Sequence, residues 1–165
     1  MEICPISRAD LSKVVAIQNE VYPPILRETA ATFEDKLSLR PVGAFGAFLG
    51  EALCGYVIAH PWTADRAVPL GLVRTMLPEK PDCVYIHDLS VHFDFQGRGI
   101  ARRLVTTVFD FGNSLSLGAT TLMAVQSSEP FWRRFGFRPL ERVEYVPGIM
   151  GSHMIRDTAC VIRKI

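Results

Sequence analysis

Residues 83–112 constrain the fold more than any other stretch of this chain. Residues 83–91, CVYIHDLSV, are rich in β-branched and aromatic side chains and predict a strand. The glycine turn Gln96-Gly97-Arg98-Gly99 follows. Ile100, Leu104, Val108 and Phe111 then recur on one face of an amphipathic helix, and Gly112-Asn113 suits its end. Residues 120–125 predict a second apolar strand. A strand, a helix and a strand in close succession pair their strands in parallel through a right-handed crossover. The turn at 96–99 must therefore lie at the carboxyl end of a sheet strand, where it opens a helix.

The flanks add antiparallel pieces. Ser7 and Asp10 have capping-box spacing, and an apolar-periodic helix over 11–21 follows. It must stop by Tyr22, because Pro23 and Pro24 forbid continuation. Thr32 and Asp35 give a second cap signal, with Phe33 and Leu37 on one face of a short helix. Residues 44–49 and 53–59 read as a hairpin turning at Gly50-Glu51. Residues 61–82 form a long connection in which Pro61, Pro69, Pro78 and Pro81 argue against a regular element. Pro130 and Gly136 bracket a short helix, and residues 137–143 and 153–162 predict closing strands. The expected fold class is α/β (α+β): one domain over residues 1–165, with a mixed sheet of about six to seven strands flanked by about four helices.

Composition narrows the function classes. With 48% hydrophobic and 21% charged residues, the chain has the make-up of a globular domain. A net charge of +1 gives no global attraction to nucleic acid or to an anionic membrane. The N-terminal residues do not predict a signal peptide, and no apolar run approaches the roughly 18 residues of a membrane helix. Cys4, Cys54, Cys83 and Cys160 are too dispersed for a zinc site and read as reduced thiols of a cytoplasmic protein. No metal is expected.

The turn carries the chemistry. Glycine lets the backbone approach a ligand closely, and the free amides at a helix start favour an anion. A pyrophosphate fits such a cradle. The lysine-serine or lysine-threonine pair of a nucleotide P-loop is missing, as is the third glycine of a dinucleotide fingerprint.

In this setting Gln96-Gly97-Arg98-Gly99-Ile100-Ala101 resembles the Arg/Gln-x-x-Gly-x-Gly/Ala motif of the GNAT N-acetyltransferase superfamily at every fixed position. The later run PFWRRFGF, 130–137, resembles the superfamily's second motif, and the order of elements between the two suits it. Within the superfamily, YIHDLSVH at 85–92 is similar to the His-x-His-x-Leu-Ala-Val-His strand of arylalkylamine N-acetyltransferases. The resemblance covers nearly the whole chain. It implies the GNAT fold, acetyl-CoA as co-substrate, and direct attack by an amine in a ternary complex.

The same resemblance implies roles. Gln96, Gly97, Arg98, Gly99, Ile100 and Ala101 would hold the pyrophosphate, with Arg98, Arg102 and Arg103 adding positive charge. Backbone groups of Leu89, Ser90 and Val91 would run beside the pantetheine arm, and an amide near Leu89 would face the developing oxyanion. His87 is the expected base, since an imidazole titrates near neutrality while an alkylammonium has a pKa near 10. Tyr85 replaces the first family histidine and would hold a relay water. Alternation along the strand points Asp88 to the other face of the sheet. Trp132 stands where many relatives carry an acid tyrosine and would pack on the pantetheine arm; Tyr85 or Tyr145 would then supply any proton.

Tyr22 and Pro24, with Pro23, Trp62, Leu70 and Leu72, would line the acceptor pocket, which suits a small-molecule amine with an aromatic or alkyl body. A protein amine is the alternative acceptor, and a non-catalytic acyl-CoA-binding sensor is the alternative in another class. The reading expects no nucleic-acid or membrane partner and leaves a homodimer open.

Overall fold

A computed structural model describes residues 1–157, so Cys160 and the end of the strand expected over 153–162 lie outside the described residues. The elements are β1 (Glu2–Pro5), α1 (Leu11–Val21), α2 (Ala30–Ser38), β2 (Gly43–Leu49), β3 (Ala52–Trp62), β4 (Cys83–Val91), α3 (Ile100–Ser114), β5 (Ala119–Ala124), α4 (Glu129–Arg133), β6 (Arg138–Val146) and β7 (Ile149–Asp157). The seven strands form one sheet in the order β1-β2-β3-β4-β5-β7-β6. Among the described residues only β4 and β5 pair in parallel, and α3 makes the crossover between them. The hairpins β2-β3 and β6-β7 and the returning pairs around them are antiparallel.

Local chemistry explains most of these boundaries. The Ser7 capping box forms, but it caps a 3-10 turn over Arg8–Asp10 that runs on into α1. Tyr22 ends α1 in an extended conformation ahead of the two prolines. The cap of α2 is Thr29, whose hydroxyl accepts from the Thr32 amide, and not Thr32. The strand β1 was not expected: four residues at a sheet edge carry too little alternation to stand out. The strand β3 runs on to Trp62, past the predicted end at 59.

Two layers cover the sheet. On one face, Leu104 and Val108 of α3 and Trp132 of α4 pack with Val57, Val84 and Ile86. On the other, Val14 and Ile17 of α1 and Phe33 and Leu37 of α2 pack with Tyr56 and Ile58. Farther along the second face, Val68 of the 63–82 connection covers Trp62, Cys83 and Tyr85. That connection is pinned to α2. The buried Lys36 ammonium donates to the Leu72 carbonyl at 2.5 Å and to the Thr75 hydroxyl at 2.6 Å. The Asp35 carboxylate accepts from the Thr75 amide at 3.1 Å. Burial lowers the Lys36 pKa, and its Asp35 neighbour works against that fall.

His60 on β3 is fully buried, with Nδ1 3.0 Å from the Pro61 carbonyl and its ring against Trp62, Tyr85 and His87. Burial lowers its pKa from 6.5 to about 4. Burial also lowers the pKa of His153 on β7. A depressed histidine pKa means that the unfolded chain binds more protons between about pH 4 and 6.5. Stability is then complete above that window and is lost as pH falls through it. For His60 the ceiling on this loss is about 3 kcal/mol. Urea unfolding at pH 7, 5.5 and 4.5 should show His60→Asn losing clearly less stability over the acid limb than the unsubstituted protein.

Candidate active site

A single extra residue in β4 shapes the site. Ile58 pairs with Asp88 and Ala59 with Ile86, so His87 is a β-bulge with no partner of its own on β3. The bulge resets the alternation. Ile86 faces α3, while Asp88 turns to the α1 and α2 face, where it accepts from Tyr22 at 2.8 Å and Tyr56 at 2.6 Å. This corrects the expectation that Asp88 lies opposite to His87. On the far side, the β4-β5 ladder ends at Ile86 and Leu122. Beyond that pair the strands part, and the last residues of β4 turn an unpaired edge to a cleft of about 940 Å³.

The cleft is walled by Leu89, Ser90 and Val91 on one side and by Met123 and Val125 on the other, with Phe131 and Trp132 of α4 and Phe135 just after it closing it. Trp132 is buried, and its ring meets Phe131 edge-on at 5.0 Å. Gln126 and Ser127 turn the chain out of β5 with φ of 53° and 58°, a left-handed conformation uncommon outside glycine. Neither this turn nor Arg134 at the cleft wall was evident from the sequence.

The cleft runs into the start of α3. Gly97 and Gly99 have φ of +72° and +76°, and a Cβ at either would meet nothing within 4 Å. No side chain caps α3, whose first helical bond joins the Arg103 amide to the Gly99 carbonyl at 3.1 Å. The amides ahead of Arg103 therefore have no intrahelical partner and point out at the mouth of the cleft. Gln96 reaches back to the Val91 carbonyl at 3.0 Å and fixes the turn on the strand. Of the three arginines expected near an anion, Arg102 lines the cleft. Arg98 lies over the Phe95 ring, and Arg103 donates to the Met1 carbonyl, tying β1 to α3.

At its inner end the cleft meets a chamber of about 40 Å³ lined by Glu28, Leu70 and Tyr145. Tyr22, His87 and Asp88 border both spaces. His87 Nε2 lies 2.7 Å from Glu28 Oε2, and both side chains are almost fully buried. Glu28 Oε1 accepts from the Gly71 amide at 2.6 Å. Burial alone would raise the Glu28 pKa; the hydrogen bond and charge of His87, with the Gly71 amide, outweigh it and hold the carboxyl below its usual range. Asp88 behaves in the opposite way. Its burial raises the pKa in spite of the two tyrosine hydroxyls. Tyr85 is buried beneath the chamber against the Val68 backbone and the Tyr145 hydroxyl, and it lines neither space. Of the expected acceptor residues, Tyr22 and Leu70 line the chamber. Pro24 is exposed at the start of a 3-10 turn, and Trp62 is buried with its indole N–H on the Arg66 carbonyl. Among the described residues no group of histidine, cysteine or carboxylate side chains could hold a metal ion.

The model of the acetyltransferase (GNAT) family matches residues 11–137. The chain belongs to the GNAT family. Its fold is similar to that of Ard1 from Thermoplasma volcanium, with a TM-score of 0.77 at 14% identity over 94% of this chain and 96% of that one. NAA60 from Arabidopsis thaliana in complex with acetyl-CoA gives 0.72 at 22% identity over 94% and 99%. The ribosomal-protein-S18-alanine N-acetyltransferase from Escherichia coli gives 0.72 at 15% identity over 95% and 93%.

This GNAT protein is therefore an N-acetyltransferase that uses acetyl-CoA as co-substrate, and its mixed seven-stranded sheet with four helices is the GNAT fold. No helix among the described residues is long and apolar enough to cross a membrane. The open space and left-handed backbone at Gly97 and Gly99, beside free helix-start amides, suit a pyrophosphate. Gly99→Val should fill that approach and strain the turn. We expect calorimetry to show acetyl-CoA affinity falling at least tenfold, with a melting temperature that moves far less than a core substitution would move it.

Proposed function

We propose that this GNAT protein acetylates a small primary amine. The amine enters as its ammonium form and is deprotonated by His87 in the chamber beside the cleft. The observation that carries this reading is the chamber itself. It is small, and the segment over it is held down at Gly71, Leu72 and Thr75 by Glu28, Lys36 and Asp35. A peptide N-terminus needs an open groove on this face, whereas a small amine needs the chamber only for its amino group and a water, with its body in the adjoining cleft. The similarity of residues 85–92 to the strand of arylalkylamine N-acetyltransferases points the same way.

The proposed division of labour follows the two spaces. Gly97, Arg98, Gly99, Ile100 and Ala101, with Gln96 fixing the turn and Arg102 adding charge, hold the phosphates of the coenzyme. Leu89, Ser90 and Val91 offer their backbone edge to the pantetheine arm, and Trp132 packs against it. Acetyl-CoA supplies the acetyl group as a thioester. The Glu28 carboxylate, ionised and close to the chamber, favours a cationic visitor over an anionic one. His87 takes a proton from the ammonium, directly or through water in the chamber. The freed nitrogen lone pair forms the C–N bond as the C–S bond breaks, and the second proton that the nitrogen sheds passes to the departing thiolate or to water. A backbone amide beside Leu89 faces the charge that develops on the carbonyl oxygen.

Thiol release from acetyl-CoA against a panel of aryl- and alkylamines, polyamines and short peptides tests the reading. Small amines should be turned over. Acetylation confined to peptide N-termini would transfer the reading to a protein acceptor, and no release with any amine would favour a sensor.

Two substitutions probe the chemistry with one active amine. His87→Ala should lower kcat by about 10²- to 10⁴-fold with little change in coenzyme affinity. The deficit should shrink at high pH, where more of the amine is already neutral, so a pH-rate profile that matches the unsubstituted enzyme would return His87 to a structural role. Trp132 cannot act as an acid. Tyr145, which lines the chamber from β6 with its hydroxyl on the Val68 carbonyl, is proposed to lend a hydrogen bond to the departing sulfur. Tyr145→Phe should cost about tenfold in kcat, because a thiol of pKa near 8.5 leaves at modest cost unaided. An unchanged kcat in Tyr145→Phe and Tyr85→Phe alike would mean that the sulfur leaves without either.

A further inference from the structure

Glu28 is the residue that links the proposed base to the segment over the chamber. Its two carboxylate oxygens have separate tasks. Oε2 meets His87 Nε2 at 2.7 Å, and Oε1 accepts from the Gly71 amide at 2.6 Å. Its own backbone is locked to α1: the Glu28 amide donates to Gln18 Oε1 at 2.6 Å, and Gln18 Nε2 donates to the Glu28 carbonyl at 2.9 Å. Gln18 is itself buried. The carboxylate thus reaches the bulge residue of β4 from a rigid mount. Nothing in the local sequence marks it, since it lies 59 residues before His87.

A carboxylate that accepts two hydrogen bonds cannot donate. The nitrogen facing it must therefore carry the hydrogen, which puts the neutral His87 ring in its Nε2–H form. The other nitrogen, Nδ1, is then a lone-pair acceptor. It is buried and has no hydrogen-bond partner among the described residues. The charged and titratable groups around the pair are His60 beside His87 and, around Glu28, Lys36, Asp88 and the hydroxyls of Tyr22, Tyr85 and Tyr145.

We infer that Glu28 is a positioning residue: it fixes the His87 tautomer with Nδ1 as the basic atom, and it ties that setting to closure of the 70–72 segment over the chamber. The inference rests on the reading of His87 as the base. A proton leaves the acceptor ammonium, passes through chamber water, and arrives on Nδ1. The ring becomes an imidazolium whose Nε2–H stays on the carboxylate, and the amine keeps the electron pair that forms the C–N bond. When the segment lifts, Gly71 releases Oε1 and the carboxylate loses the anchor that aims it at the ring.

Glu28→Gln tests this with little change of shape. The amide has one acceptor where two donors wait. If its oxygen keeps Gly71, its NH₂ faces His87 and forces the Nδ1–H tautomer, which removes the base. If its oxygen turns to His87, two donors oppose each other at Gly71 and the segment is released. Either way kcat should fall by about 10²- to 10⁴-fold, the range for loss of a general base. The KM for acetyl-CoA should stay within about twofold, and Glu28→Asp should recover part of the rate.

Nitrogen-15 NMR of the histidine rings in the unsubstituted protein gives a readout independent of whether the variant folds. We expect His87 with hydrogen on Nε2 and a bare Nδ1; the reverse assignment overturns the inference. In Glu28→Gln a shifted tautomer or a broadened Gly71 amide signal supports it. Slow turnover with both signals unchanged overturns it and leaves Glu28 a structural residue. The reading beneath it fails separately. If His87→Ala keeps the full rate, His87 is not the base and the inference falls with it. If His87→Ala is slow while Glu28→Gln keeps the full rate, only the inference falls.

Discussion

The geometry of this protein turns on the way β4 stops behaving as an ordinary sheet strand at His87. Up to Ile86 it is paired on both sides, to β3 and to β5. At His87 the bulge takes one residue out of register with β3, and from there on β5 no longer follows. The strand does not fray, because β3 holds it as far as Val91 and Gln96 caps the Val91 carbonyl. A buried strand with unpaired backbone groups would be costly in the core of a sheet. Here the cost falls in a cleft, where water or a ligand can meet those groups, and α4 with its aromatic side chains keeps β5 from closing in. The bulge also brings two titratable side chains, His87 and Asp88, to one face from consecutive positions. Regular alternation cannot do this.

The polar groups gathered there behave differently because their partners differ. Glu28 and Asp88 are both buried carboxyls, and burial pushes both upward. Glu28 has a ring nitrogen and a backbone amide to offset that push and stays ionised. Asp88 has the hydroxyls of Tyr22 and Tyr56 and the more distant charge of His87, which do not offset its burial, and its pKa remains raised. Lys36, buried on the same face, donates to a carbonyl and a hydroxyl as well as to Asp35. The second face of the sheet is thus an ordered polar layer joining α1, α2, β4 and the 63–82 connection. It explains how a connection carrying four prolines with the preceding strand end, and no regular element from 63 to 82, still has a defined position.

Most of the frame was legible in the sequence. The β4 strand, the glycine turn, the α3 face and the Pro130-to-Gly136 helix all declare themselves through local periodicity or through residues that permit only one kind of backbone. Long-range features did not. The bulge at His87 is invisible in CVYIHDLSV because nothing in a strand's own residues states where its partner's register slips. Asp88 was therefore assigned to the wrong face. Glu28 had no signal at all, since its partners are His87, Gly71 and Gln18. Tyr85 looked catalytic because it occupies a motif position, yet packing against Val68 keeps it out of both spaces. Trp62 and Pro24 misled for a similar reason: an aromatic or a proline in a loop says that the segment is special and not which way it faces. The strand β1 escaped because four edge residues carry almost no pattern.

The tryptophan at 132 raises the question of where protons go when no tyrosine stands at that position. On the proposed reading the reaction releases protons from an amine whose pKa is near 10 and makes a thiolate whose conjugate acid has a pKa near 8.5. Deprotonating the amine is therefore the harder demand at neutral pH, and protonating the sulfur the lighter one. An enzyme under those terms needs a well-held base more than a dedicated acid. The architecture matches that order of need. On the proposed reading the base side has a bulge to aim the ring, a carboxylate to set its tautomer, and a locked mount behind the carboxylate. On that reading the sulfur lies against the apolar cleft wall of Phe131, Trp132 and Phe135, which would exclude water from the acyl group without supplying a proton. Tyr145 lines the chamber, its hydroxyl on the Val68 carbonyl and burial pushing its pKa upward. It can lend a hydrogen bond to the sulfur more readily than it can part with a proton. A wall that shields and a tyrosine that only assists would make the departure of sulfur largely passive, and the rate would then be set on the amine side of the cleft.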